Sequence, residues 1–166
     1  SDSSDGWTPE TAKGTLAGVM ALARAGDVVI ALPGTYADGS MIQETPIVAC
    51  TPTLRSRVVV PEGVRLVARD GAVATAIVGE AGTGEKGMGE GAMRGVFLCA
   101  HAELEGFTVR DGHTDSVNVE DDNNNGGGVL ADSTATVRDC VIRDCTSPRG
   151  AGSRNGRYVR CRFENN

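Results

Sequence analysis

Short apolar runs separated by turn residues fill the chain after residue 27. They are "VVIAL" (28–32), "RVVV" (57–60), "VRLVA" (64–68), "TAIV" (75–78), "GVFLC" (95–99), "LEGFTV" (104–109), "GVL" (128–130), "ATVRDCVI" (135–142) and "RYVRCRF" (157–163). Runs this short, rich in Val and Ile and closed by Gly, Pro or Asp, predict an all-β fold built as a sandwich, a barrel or a solenoid. A different period precedes them. Leu16, Val19, Met20 and Ala23 follow the i, i+3, i+4, i+7 spacing of an amphipathic helix. Thr8 supplies an N-cap hydroxyl, Pro9 suits the first helical position, and Glu10 sits at the positive end of the dipole. Gly26 is a natural stop, so the pattern predicts one helix over 8–26. Gly14 and Gly18 each weaken it by about 1 kcal/mol relative to alanine, and it therefore needs an apolar surface to lie on.

Internal repeats choose among the β architectures. "AELEGFTVRDGHT" (102–114) aligns with "ATVRDCVIRDCTS" (135–147), and that with "RYVRCRFENN" (157–166). The alignment places Phe107, Cys140 and Cys161 in one column and Val109, Ile142 and Phe163 in a second. Arg110, Arg143 and Glu164 form a third, and Asp111, Asp144 and Asn165 a fourth. A solenoid requires such columns, because equivalent positions stack one rung above another.

Carrying this pattern, the chain resembles the right-handed parallel β-helix proteins of the pectate-lyase-like group. The features are the helix entering "AGDVVIALPGTY", then "VVVPEGVRLVARDG", "LEGFTVRDG" and "GGGVLADSTATVRDCVIRDCTS". The resemblance runs from Thr8 nearly to the end. It implies a short right-handed parallel β-helix with an N-terminal amphipathic capping helix over the first rung. In domain terms, 1–7 is a flexible N-terminus and 8–166 a single domain, with the cap at 8–26 and rungs at 27–166. The rung ending in "RCRFENN" lacks a cap, so either the chain is part of a longer protein or another chain covers that edge. The resemblance also implies a secreted or cell-surface location. It leaves activity open, since the same fold serves lyases, hydrolases, epimerases, adhesins and spikes.

Composition narrows the remaining classes. The chain has 166 residues, 40% hydrophobic content and 23 glycines, enough for one domain with a thin aliphatic core. No apolar run approaches the roughly 20 residues of a membrane-spanning helix, and "SDSSDGW" reads as a mature or trimmed N-terminus. A net charge of −6, with no basic stripe, argues against nucleic acid as a partner. Five cysteines, Cys50, Cys99, Cys140, Cys145 and Cys161, lack zinc-site spacing and read as buried thiols, with one disulfide open to them in an oxidising compartment. Trp7, Tyr36 and Tyr158 are expected to seal the ends of the coil.

Candidate chemistry centres on the repeated Arg-Asp pairs, Arg69-Asp70, Arg110-Asp111 and Arg143-Asp144. Asp suits a turn, so one reading is a ladder of corner residues neutralised by adjacent arginines. The others are a polysaccharide-binding or catalytic strip and calcium bridging of the carboxylates. The catalytic candidates are Arg110, Asp111, His113, Asp139, Arg143 and Asp144. "Gly112-His113-Thr114" departs in its last residue from the Gly-His-Gly element of polygalacturonases, and the lyase elements Arg-x-Pro-x-x-Arg and Trp-x-Asp-His are absent. The loop 113–128 offers Asp115, Glu120, Asp121 and Asp122 as calcium ligands, without EF-hand spacing. The cofactor expectation is none, or calcium. The glycine-rich stretch 79–91 follows a strand but leads into no helix, and reads as a loop.

Two functions are expected. One is an extracellular or cell-surface module with a structural, adhesive or assembly role, whose open C-terminal rung pairs with another β-helix chain or with itself. The alternative is the N-terminal part of a polysaccharide lyase or glycoside hydrolase acting on acidic polysaccharide.

Overall fold

The computed structural model describes residues 2–42, 55–115 and 124–166. Within them the chain is mostly β, with fifteen strands and a single short α-helix. The strands are β1 (Val28–Ala31), β2 (Gly34–Tyr36), β3 (Met41–Ile42), β4 (Arg55–Val60), β5 (Arg65–Ala68), β6 (Thr75–Val78), β7 (Arg94–Leu98) and β8 (Glu103–Glu105). They continue with β9 (Thr108–Arg110), β10 (Val129–Ala131), β11 (Thr136–Arg138), β12 (Val141–Arg143), β13 (Ser153–Arg154), β14 (Arg157–Val159) and β15 (Arg162–Glu164).

Three five-stranded sheets collect them. Sheet 1 runs β1-β5-β8-β11-β14, sheet 2 runs β2-β6-β9-β12-β15, and sheet 3 runs β3-β4-β7-β10-β13. All pairings are parallel except β3 with β4. Each pass of the chain from β4 onward therefore lays one strand on each sheet, forming a tier, and the next tier repeats the order. This is compatible with a parallel β-helix.

The register reproduces the repeat columns. Val109 pairs with Ile142 and Ile142 with Phe163, while Arg110, Arg143 and Glu164 align beside them. Inside, alternate residues stack into aliphatic columns, such as Val58–Val96–Val129 from sheet 3 and Leu66–Leu104–Val137 from sheet 1. These side chains form one buried cluster. Period-2 alternation with one face buried fixes this register, because a slip by one residue would turn every core side chain outward.

Two expectations need revision. The helix expected over 8–26 is realised as a 3-10 turn (Pro9–Thr11) followed by α1 (Leu16–Met20). Thr8 does cap the first turn, but Thr15 starts a second N-cap, and its backbone N–H and hydroxyl both donate to the Asp2 carboxylate, at 2.8 and 2.6 Å. The apolar stripe still works as expected: Leu16, Met20 and Ala23 are buried with Val58 and Val60 as α1 packs on β4. The runs at 104–109, 135–142 and 157–163 are each two strands rather than one. They break at Gly106, Asp139 and Arg160, whose φ values of 76°, 51° and 52° are left-handed and end the extended backbone. The short strands β2, β3 and β13 gave no comparable apolar run.

Candidate functional site

Five of the six catalytic candidates come together where sheet 2 ends. Arg110 and Arg143 close β9 and β12 in one column, and Asp111 and Asp144 follow at φ 55° each. Asn165 completes that column at φ 51°, and its side-chain amide donates to Asp144 Oδ1 across 3.4 Å. The short polar side chains of Asp and Asn tolerate the left-handed region. Each Asp is bonded by the arginine just before it, Arg110 to Asp111 and Arg143 to Asp144. Arg162 and Glu164 pair in the next tier. Like charges stacked on neighbouring strands are thus neutralised within each tier. His113 sits beside them: Nδ1 donates to the Asp111 carbonyl oxygen at 3.0 Å, and its backbone N–H donates to Met93 O at 3.0 Å.

Asp139 stands apart. It occupies the other corner, between sheets 1 and 2, where Arg160 Nε and Nη2 donate to its two carboxylate oxygens at 2.6 and 2.7 Å. That two-point bond to Arg160 holds its carboxyl below the usual range. Asp70 also leaves the expected ladder, because Arg69-Asp70-Gly71 follows β5 at this same sheet 1–sheet 2 corner. The residue aligned with Asp111 in that tier is Gly79, since Val78 pairs with Arg110. The motif directly follows β5, at the start of the 69–74 connection to β6.

Of the calcium candidates, Asp115 is half-buried, while Glu120, Asp121 and Asp122 lie outside the described residues. Among the described residues, no group of three or more His, Cys, Asp and Glu side chains is placed to hold a metal ion. No helix among them is long and apolar enough to cross a membrane.

A concavity lies elsewhere. A cavity of about 690 Å³ opens between residues 5–16 and the β1–β2 segment. Trp7, Leu22, Val28, Ile30 and Tyr36 contribute its apolar wall, and Asp5, Lys13, Asp27 and Arg69 its charges. Trp7 is 88% exposed, so it does not seal this end as expected. Tyr36 is half-buried and its hydroxyl donates to Leu32 O at 2.9 Å. Beside the cavity, β1 is the outer strand of sheet 1, and Val28 and Ile30 are 51% and 60% exposed.

Two buried arginines escaped the sequence reading. Arg57 Nε donates to Val78 O at 2.7 Å and Nη1 to Gly39 O at 2.5 Å. Arg94 Nε and Nη2 donate to Gly126 O and Asn125 O, each at 2.9 Å. Buried guanidinium groups need such acceptors; here Arg57 ties β4 to the end of β6 and to the loop at Gly39, and Arg94 ties β7 to the loop at Asn125–Gly126. Both sit next to β-like Val runs, and nothing in the sequence distinguishes them from surface arginines.

Comparison with protein-family models, with curated proteins and with solved structures gave no match to this chain.

Proposed function

We propose that the chain is a right-handed parallel β-helix of the pectate-lyase-like kind, acting outside the cytoplasm as a scaffold and assembly module that stacks on a second copy of itself. Right-handedness follows the strong preference of β-crossover-β connections. The observation that carries the assembly reading is the complementarity of the outer strands. At β1, exposed Val28 and Ile30 belong to a segment, residues 2–38, that holds five acids against two bases. At the opposite edges of sheets 1 and 2, β14 and β15 carry Arg157 and Arg162, with Arg154 and Arg160 nearby and Glu164 as the acid, and Phe163 is 49% exposed. Among the described residues the outer edges of β1, β2, β14 and β15 have no partner strand; such edges template pairing with another chain, and opposite charge steers two of them together. Stacking β14 on β1 and β15 on β2 of the next copy would extend both sheets with parallel strands. The interface is head-to-tail, so it generates open arrays.

The ion-paired corners support the scaffold role. Asp111, Asp144 and Asp139 are each bonded to a guanidinium of the same fold, as ladder residues should be. The test is native mass spectrometry and sedimentation over a salt series. Dimers and longer arrays at low salt, dissociating at high salt and lost in Val28→Lys with Ile30→Lys, are the expected result. A monomer at every salt and concentration overturns the proposal. So does release of unsaturated uronates from an acidic polysaccharide that Asp111→Asn and Asp144→Asn abolish, which would assign a lyase instead.

A further inference from the structure

Two cysteines stand one above the other at the corner between sheets 1 and 2. The register pairs Arg138 with Val159 and Val141 with Arg162, so Cys140 and Cys161 occupy the same position in successive tiers. Their environments repeat as well. Cys140 Sγ lies 3.1 Å from Arg138 O and 4.0 Å from Leu104 O. Cys161 Sγ lies 3.5 Å from Val159 O and 3.5 Å from Val137 O, the same pair of carbonyls one tier on. The thiols therefore share an orientation and are offset by one inter-strand step. That step, about 4.8 Å between neighbouring strands, falls inside the Cα separation a disulfide spans, roughly 4.4–6.8 Å. Cys99 and Cys145, the other free cysteines among the described residues, have no cysteine in their columns.

We infer that Cys140 and Cys161 are a redox-active dithiol that closes into a disulfide, pinning β14–β15 covalently to β11–β12. The two thiols divide the work. Cys161 is half-buried and Cys140 fully buried, so an oxidant meets Cys161 first. The hydrogen bond from the Cys140 thiol lowers the pKa of Cys161 and, with burial, raises that of Cys140. The thiolate is the attacking species, which assigns the first step to Cys161. With a small disulfide such as oxidised glutathione as electron acceptor, the Cys161 thiolate attacks one glutathione sulfur. An S–S bond forms to Cys161, and one glutathione thiolate leaves. Cys140 then attacks Cys161 Sγ, passing its proton to the second departing glutathione. The protein loses two electrons and two protons, and one glutathione disulfide becomes two glutathiones. Burial holds the Cys145 and Cys99 thiols up, each to about 11, so they stay protonated under the same conditions.

The test equilibrates the full chain in buffers of graded reduced-to-oxidised glutathione, followed by acid quench, alkylation and peptide mapping without reduction. The expected product has lost two hydrogens, located on a peptide joining Cys140 to Cys161. The oxidised form should melt higher than the reduced form by roughly 5–10 °C, as expected for closing a loop of this size. In Cys140→Ala the reaction should stop at one glutathione on Cys161. If that variant fails to fold, the wild-type map alone decides. Full alkylation of both residues at every glutathione ratio overturns the inference. So does a disulfide that maps to Cys50, Cys99 or Cys145. Neither outcome depends on whether the chain self-associates.

Discussion

From sheet 1 to sheet 2 the chain turns within two residues in three successive tiers, Gly106–Phe107, Asp139–Cys140 and Arg160–Cys161. After sheet 2 it turns through the left-handed Asp111, Asp144 and Asn165. On from the first two of these the connection is longer, with residues 111–128 and 144–152 standing between sheet 2 and sheet 3 in sequence. Both corners depend on left-handed backbone, but they handle charge in opposite ways. The first corner pairs across tiers, Asp139 with Arg160. The second pairs within each tier, Arg110 with Asp111 and Arg143 with Asp144. The inner positions differ too, since the first corner buries Phe107 and Cys140 while the second buries Gly112 and Cys145. A corner of fixed length lets consecutive tiers cooperate and be cross-linked. A corner that keeps its charges to itself lets each tier carry a loop of any length.

The sharpest way to break the first corner is Phe107→Ala. Phe107 is fully buried in the column of Cys140, and its truncation should cost about 3–5 kcal/mol in denaturant unfolding. At the second corner the corresponding damage comes from adding volume. A Cβ at Gly112 would lie 2.1 Å from Gly127 O and 2.9 Å from Gly95 N. Backbone cannot yield as a side chain can, so Gly112→Ala should destabilise by about 1–3 kcal/mol, visible as a lower denaturant midpoint. Smaller still is Asp139→Ala, which loses the Arg160 bond and leaves a Cβ at φ 51°. Asp139→Gly should retain more stability than Asp139→Ala, because glycine adopts that φ freely; melting temperatures of the two variants compare them directly.

Acid separates the same bond from its surroundings. The folded carboxyl of Asp139 titrates below its unfolded value, so its contribution is complete above about pH 4 and is lost as pH falls through the lower folded value. The melting-temperature gap between wild type and Asp139→Asn should therefore narrow as pH falls below about 4. The smallest effect belongs to the second corner's charges. Asp111→Asn combined with Asp144→Asn keeps residues suited to left-handed backbone and removes partly exposed ion pairs, so the melting temperature should move by only a few degrees.

Much of the fold was legible because apolar residues alternate and the repeats stack. The columns through Val109 and Asp111 read directly from the alignment. The first corner was not legible. "TVRDCVI" and "YVRCRF" hold no glycine, and an Asp or Arg in the left-handed region leaves no local signature in an otherwise β-like run. The Asp139–Arg160 pair did leave one, since the two residues share a column of the repeat 21 positions apart. The N-terminal helix was over-read because its stripe continues through residues that the Asp2–Thr15 contact partitions into two capped turns. At the candidate site, the neutralisation of Asp111 and Asp144 by the preceding arginines was legible, because the partners are adjacent. The position of Asp70 was not, because the Arg-Asp-Gly motif follows a sheet 1 strand here and a sheet 2 strand at Arg110, and the pairing register alone separates the two.

In each sheet the backbone hydrogen bonds join β5 to β8, β8 to β11 and onward, always from one tier to the next. A force pulling β14 and β15 away from β11 and β12 loads the bonds of a single interface between tiers and peels them one after another. A force along the strands must shear all the bonds of that interface at once. The molecule is mechanically anisotropic, weak between tiers and strong along them, and under tension it would lengthen in steps of one tier.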